Sequence, residues 1–553
     1  MGASHWKASA PLALCMFFSG YCGIIAELSL FTLAESLIGG TLTNLLATMG
    51  VMMFCMGLGA LVASHPWLGQ KQDSKFIGLE LLISLFTCAS IPLITYIGGR
   101  YPNSTVLSFV SISALIGLLI GLEIPLMQKM MQRDSQEDIQ VISSRVMMAD
   151  YFGSLMGFVL FAKLIFYFGL HWTAVLSGGL NFAIALFVSF RPQCPPWGRW
   201  ACLLSIPILC LYCFQLDDMM ERGEQELYRH KIVWKEQSPY QKIVVVDQGK
   251  KGGPHYEQTQ WEKFNSKFKP IGQSPDGKLK LKSKTPTGLK STNNSQDEIC
   301  LFINGGLQFN SRDEHIYHEH LIHPIIEALP EKKHILVMGA GDGLALRELL
   351  KHEDIKSIDL VELDPVMTNF ASTHPALVKL NQNSLLHPKV NIIHRDAWAW
   401  ARKQSGIYDA IILDFPDPHH IETAKLYSLQ FYKLLKFNLK GHGLIITQAT
   451  SPLIDQRAFA CIRKTLESAQ FKVDSLHVTM RSFGQWGFHI ARQQGPSIPH
   501  RLCHWKAPHF VKSFDQASLL AAFIWPPGFE ELVRAQPVND FLSLPLFQLY
   551  EHR

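Results

Sequence analysis

The first 216 residues carry seven apolar stretches, at about 11–35, 43–64, 76–98, 105–128, 148–168, 170–190 and 199–216. A bilayer core about 30 Å thick takes roughly 20 apolar residues per helix, and backbone exposed to lipid must satisfy its hydrogen bonds internally. Residues 1–216 are therefore expected to form an α-helical transmembrane bundle of about seven spans, placing the chain in a cell (inner) membrane as a multi-pass protein. The fifth and sixth stretches meet at Gly169-Leu170-His171, expected to be a tight turn. Gly57, Gly59, Gly153 and Gly157 suit close helix packing. The opening MGASHWKASAPLALC lacks a convincing cleavable signal. Leu14 is too large for lipoprotein cleavage before Cys15, and Trp6 breaks the myristoylation pattern.

Glu27, Glu80, Glu123, Asp150 and Lys163 interrupt these stretches. A charge at mid-bilayer costs roughly 2.5–3.5 kcal/mol on insertion scales, so each is expected to face the bundle interior or lie near an interface. They can line a polar cavity for a cation such as an amine. The simpler reading is interhelical hydrogen bonding that fixes the bundle, with Glu80 and Lys163 near helix ends. Orientation brings a conflict. Lys7, Lys71, Lys75, Lys129, Arg133, Arg145, Arg191 and Arg199 fall on one side, and Arg100 alone occupies the opposite short loops. The positive-inside rule makes the basic side cytoplasmic and sends the C-terminal half outside, whereas a domain using a nucleoside cosubstrate belongs inside. The sequence leaves the side open.

After residue 216 the composition becomes that of a soluble domain. Residues 217–230 (DDMMERGEQELYRH) read as a charged linker. Residues 231–333 read as a small β region, with strands at Lys231–Trp234, Lys242–Val246, Ile299–Ile303 and Leu307–Phe309, the last two joined by Asn304-Gly305-Gly306. Between them, 249–297 is a polar insertion without apolar periodicity. Eight of the eleven cysteines lie at or before Cys213, and none forms a CxxC pair, so no disulfide framework is expected. The net charge of +5 comes without a basic stripe interleaved with aromatics, and no nucleic-acid partner is expected.

From residue 334 strands alternate with helices, the pattern of a parallel α/β sheet. HILVMG, IKSIDLVE, KVNIIH, YDAIILD and GHGLIITQ are five successive strands, and FKVDSLHVTM with QWGFHIARQ closes the sheet as an antiparallel pair. Residues 334–495 are thus expected to be a Rossmann-like, class I methyltransferase-type domain. Acidic residues recur at the carboxyl ends of its strands, the edge where open α/β sheets bind ligands. Gly339-x-Gly341-x-Gly343 allows close backbone approach beside a helix N-terminus. Glu362, about 20 positions on, can accept both hydroxyls of a ribose, and Asp396 can accept from an adenine amino group. His315, His318, His320 and His323 fail the HExxH spacing, because Ile322 stands where the second ligand is needed. One of them is expected to bind substrate, with the others facing solvent or capping. In the extension 496–553 a helix is expected at Ala517–Ile524, and no chemistry is evident.

The segment 231–492 resembles the spermidine synthases, the polyamine aminopropyltransferases, through YQKI (240–243), NGGLQFNSRDEHIYHEHLIHP (304–324), GAGDG (339–343), VELD (361–364), RDA (395–397) and DFPDP (414–418). The whole chain is similar to the membrane-embedded bacterial branch, in which a multi-span region precedes the synthase domain. The resemblance implies transfer of the aminopropyl group of decarboxylated S-adenosylmethionine to putrescine, giving spermidine and methylthioadenosine, with no metal and no cofactor beyond that cosubstrate. It implies that Gln241, Glu362, Asp396 and Ala397 hold the nucleoside and that Asp342 pairs with the donor's ammonium. Gln308, His318 and Asp417 would hold the polyamine, and Asp414 would be the catalytic base. A homo-oligomer is compatible with it.

An alkylammonium with a pKa near that of lysine, about 10.4, attacks only after losing a proton, and a fixed carboxylate can accept that proton. Asp342 favours a donor lacking the α-carboxylate of ordinary S-adenosylmethionine, which an aspartate would repel. Two departures bear on the acceptor. Phe415-Pro416 replaces two small residues, with the potential to narrow or redirect the diamine channel. Arg481-Ser482-Phe483 stands where a tyrosine-containing segment is typical, and an arginine facing a diammonium would be unfavourable. A methyltransferase on the same fold, and a polyamine sensor or transporter using Glu27, Glu123 and Asp150, are the competing readings.

Overall fold

A computed structural model describes residues 2–38, 42–63, 65, 71–135, 137–228, 230–238, 240–248, 298–402 and 406–551. The polar insertion expected at 249–297 lies outside the described residues. The described N-terminal residues are mainly helical: α1 (Gly2–Ile38), α2 (Leu42–Val62), α3 (Gln72–Arg100), α4 (Thr105–Ser135), α5 (Ile139–Ser189) and α6 (Pro196–Tyr228). Among the described residues, five helices are long and apolar enough to cross a membrane, and Thr48–Val62 is a shorter apolar helix.

Helix α5 is bent at Gly169, whose φ of 75° and ψ of 168° interrupt the helical backbone in a conformation open to glycine. Both arms pack on the same turns of α1. On the first arm a Cβ at Gly153 would sit 1.8 Å from the Phe17 carbonyl, so only glycine permits this approach. On the second, the Ser177 hydroxyl donates to the Cys22 carbonyl at 3.1 Å. The chain therefore reverses at Gly169, where the sequence places the join between stretches five and six. Glu80, two turns inside α3, and Glu123 are fully buried, whereas Lys163 is exposed.

At one end of the bundle Arg191 reaches Asp73 at 3.0 Å and also pairs with Asp134, and Arg133 reaches Asp73. The β region joins the other end. There Glu224 of α6 accepts from Lys235 at 2.7 Å and Lys242 at 2.5 Å, and Tyr228 packs edge-on against Phe302. The C-terminal part thus joins the bundle at the end away from the Arg133 and Arg191 cluster.

Strands β1 (Lys231–Gln237), β2 (Lys242–Asp247), β3 (Ile299–Ile303) and β4 (Gly306–Asn310) form an antiparallel sheet in sequential order. Helix α7 (Glu314–Glu327) leads to β5 (His334–Gly339), α8 (Leu344–Leu349), β6 (Ser357–Glu362), β7 (Val390–His394), β8 (Tyr408–Asp414), β9 (Leu439–Gln448), β10 (Lys472–Met480) and β11 (Gly484–Arg492). These strands make one sheet ordered β10-β11-β9-β8-β5-β6-β7, parallel from β9 to β7, with β11 antiparallel to both neighbours. Central β5 and β8 are near-continuous apolar runs, Ile335–Met338 and Ala410–Leu413, all fully buried. A parallel strand covered on both faces requires such a run.

The C-terminal extension packs on this domain. The helix expected at Ala517–Ile524 spans Gln516–Ala521, so Ile524 lies beyond it, and Phe529–Ala535 and Pro545–Glu551 are further helices of the extension. Phe514 lies on His320, and the backbone amides of Lys512 and Ser513 donate to Glu319. This cover overturns the expectation that His320 and His323 face solvent or cap. Both are buried: His320 donates to the Ile316 carbonyl at 2.7 Å, and His323 sits between Glu348 and His352 at 2.9 and 3.0 Å.

Candidate active site

A cavity of about 1280 Å³ opens at the carboxyl ends of β5, β6 and β8, walled on its other sides by β4, α7 and the loop after β8. Ladder register brings its parts together. Gly339 pairs with Asp414 across β5 and β8, and Glu362 pairs with His394 across β6 and β7. A Cβ at Gly339, whose φ is +82°, would lie 2.2 Å from the Asp414 carbonyl. One at Gly341 would lie 2.8 Å from Glu362 Oε2. Bare backbone is needed where the two strand ends and the acid converge. Gln241, Gln308, His318, Asp342, Glu362, Asp396, Ala397, Asp414 and Asp417 all line the cavity. Gly343 does not; its φ of +82° shapes the turn into α8, where Ser384 and Asn381 lie against it.

Asp414 ends β8 with its carboxylate turned into the cavity. The Tyr317 hydroxyl donates to its Oδ1 at 2.6 Å, and burial pushes its pKa up while His318 and this hydroxyl oppose the rise. His318, one residue on along α7, places Nδ1 2.7 Å from the Glu314 carbonyl and 2.9 Å from Glu314 Oε2. Burial alone would lower the His318 pKa; the Glu314 carboxylate outweighs it and raises it to about 9. Glu314 is held near 2, against its own burial, by His318 and by Arg347, which donates to both its oxygens at 2.8 and 2.9 Å. Arg347 is tied in turn to Glu348 at 2.9 Å. One charge network thus fixes His318 from behind and leaves Nε2 as the ring nitrogen outside these contacts.

The other wall is acidic, with Glu362, Asp342 and Asp396 on it. Burial raises Glu362 to about 7, although the Asp364 amide donates to Oε1 at 2.9 Å. Gln241 donates to Asp364 Oδ2 at 2.9 Å, tying β2 to this strand end. Asp396 caps the helix Ala397–Ala401 by accepting from the Ala399 amide at 2.8 Å, and Ala397 is its first residue. Asp342 accepts from the Leu344 amide at 2.9 Å. Burial raises it to about 6, moderated by His318 and increased by Asp414.

On the loop after β8, Gln448 donates to Asp417 Oδ1 at 3.2 Å and to the Phe415 carbonyl at 2.8 Å. Phe415 is only 7% exposed and packs against Tyr427 and Phe431, so most of its ring belongs to the core. Arg481 is exposed and does not line the cavity; Met480, Phe483 and Trp486 do. The unfavourable arginine raised by the sequence is therefore absent from the wall, because Ser482 anchors the turn to Asp313 at 2.6 Å. Sequence reasoning missed Tyr317, Tyr550 and Glu35, all of which line the cavity. Tyr317 stood beside His318 in a quoted motif, whereas Tyr550 and Glu35 come from the two ends of the chain with no local signal.

Among the described residues, one acidic and histidine cluster has metal-ligand spacing, Glu331, Asp409 and His442, at the opposite end of the sheet. Asp409 is already engaged by Lys440 at 2.7 Å and by the amides of Lys333 and His334. It is a structural anion.

Residues 314–499 match the spermine/spermidine synthase domain. A polyamine aminopropyltransferase of Leptospira interrogans is 34% identical over 493 residues, covering 86% of each chain. Polyamine aminopropyltransferase 1 of Streptomyces coelicolor is 32% identical over 523 residues, covering 93% of this chain and 89% of its own. A crystal structure of spermidine synthase from Thermotoga maritima aligns with a TM-score of 0.41 and 18% identity, over 55% of this chain and 88% of its own. Likeness at 32–34% identity over 86–93% of its length makes this chain a member of the polyamine aminopropyltransferase family.

Proposed function

We propose that the protein is a membrane-embedded spermidine synthase that moves the aminopropyl group of decarboxylated S-adenosylmethionine to putrescine. The observation that carries this reading is the convergence, in one cavity, of Asp414 under the Tyr317 hydroxyl with Asp342 and Glu362. Glu362 would accept the ribose hydroxyls, with Gln241, Asp396 and Ala397 completing the nucleoside site. Asp342 would take the donor's ammonium. Gln308, His318 and Asp417 would hold the acceptor so that its free nitrogen faces the carbon beside sulfonium.

The chemistry follows from these charges. The acceptor ammonium loses a proton to Asp414, directly or through water, and its lone pair attacks the carbon next to sulfur. The carbon–sulfur bond breaks, its electron pair returns to sulfur, and neutral methylthioadenosine leaves. Positioning two substrates and removing one proton suffice, so neither a covalent enzyme intermediate nor a metal is needed. The helical region would lie in the membrane as about seven spans, counting α5 as two. Support comes from the apolar residues it turns outward, including Phe152, Phe158, Tyr167, Leu204 and Phe214. The corresponding division of the chain is 1–216 membrane domain, 217–230 linker, 231–333 β region, 334–495 catalytic domain and 496–553 extension.

The purified full-length protein, given putrescine with either the decarboxylated or the intact donor, tests the donor assignment. Spermidine and methylthioadenosine are expected from the decarboxylated donor alone. Methylated amine from the intact donor would replace this reading with a methyltransferase.

A further inference from the structure

The cavity is not walled by the C-terminal part alone. Glu35, Ser36 and Leu37, near the C-terminal end of α1, line it as well. The Ser36 carbonyl closes on Gly305, where a Cβ would sit only 3.0 Å away. Gly305 lies in the turn that leads into β4 and Gln308. On its other flank, Glu35 Oε1 stands 3.9 Å from His420 Nδ1, three residues past Asp417. The end of α1 is thus wedged between the two segments that carry Gln308 and Asp417. Both of those are acceptor groups in the reading above, and neither segment carries a group assigned to the nucleoside.

Glu35 also has the character of a ligand group. Its side chain is 45% exposed, and among the described residues its one ionic neighbour is His420, beyond hydrogen-bond range. No lysine or arginine among the described residues pairs with it. A carboxylate in the wall of a polyamine site, without a cation of its own, is matched by the substrate's charge.

We propose that Glu35 binds the ammonium of the acceptor remote from the attacking nitrogen, so that the helical domain helps select linear amines with at least two positive charges. This rests on the aminopropyl-transfer reading and adds a specificity-determining residue from outside the catalytic domain.

The test is Glu35→Gln in the full-length protein. The KM for putrescine is expected to rise about three- to fivefold, the range of a partly exposed ion pair, with kcat and the donor KM unchanged. Butylamine, which has the same carbon chain but no second ammonium, should keep its inhibition constant against putrescine. A merely structural role would weaken both amines alike or alter the donor KM, and either result overturns the proposal, as does an unchanged putrescine KM. Failure of the underlying reading would look different: no methylthioadenosine from the unmodified protein with any amine.

Discussion

The helical bundle and the catalytic domain each take a pair of acids out of water, and they surround them differently. Glu80 and Glu123 lie together inside the bundle, against each other and Ser19 rather than against any described cation. In the catalytic domain Asp342 and Asp414 face a large cavity, with a tyrosine hydroxyl, a backbone amide and His318 around them. The first pair is enclosed by packing. The second is kept available, its charge moderated by an imidazole anchored through Glu314 to Arg347. Burial by itself therefore does not mark a functional acid; donors in place and room for a cation do.

The largest way to break this contrast is Arg347→Met. It strips one buried partner from Glu314, which keeps His318, and from Glu348, which keeps His323 and Lys351, and breaking a buried pair costs up to about 3–5 kcal/mol. A clear drop in melting temperature is expected, and an unchanged melt would show that the network is dispensable. Next is Tyr317→Phe, which removes a short hydrogen bond to Asp414. The value of kcat should fall about tenfold, as loss of roughly 1.4 kcal/mol in the transition state requires, with the donor KM unchanged.

Acidification comes third. Asp342 and Glu362, raised to about 6 and 7, take up protons as pH falls through that range. In the roles proposed for them, the protonated forms would attract an ammonium and accept two ribose hydroxyls less well. The donor KM should therefore rise ~5-fold between pH 7.5 and 6. The same sign makes the empty protein more stable on acidification through these two groups, since their folded pKa values lie above the unfolded ones, and that gain is lost as pH rises. Thermal melts with and without donor across pH 6–7.5 read both effects. The smallest effect is expected of Glu80→Gln, within about 1 kcal/mol of stability and with no change in kcat, because it severs no ion pair. A large loss of turnover would join the bundle acids to the chemistry.

The sequence revealed those parts whose signal is local. Apolar runs ending in Gly339, Glu362 and Asp414 announced parallel strands and the edge that carries the site, and Gly169 announced the bend in α5. What it hid depends on contacts between distant segments. Tyr317 reaches Asp414 across 97 positions only because α7 packs beside β8. Glu35 meets the cavity only because α1 ends against the β3–β4 turn. His320 and His323 looked exposed because the extension that covers them lies nearly 200 residues further on, as the Lys512 amide on Glu319 shows, 193 positions apart. Arg481 looked like an obstacle because a motif position does not say which way a turn residue points.

The central claim is that Asp414 removes the proton that frees the acceptor nitrogen. It is tested most directly by single turnover of bound decarboxylated donor with putrescine in Asp414→Asn. The amide keeps the shape and cannot take the proton, so spermidine formation should slow by about 10²–10⁴-fold while donor affinity stays the same. Turnover within about threefold of the unmodified protein would contradict the assignment.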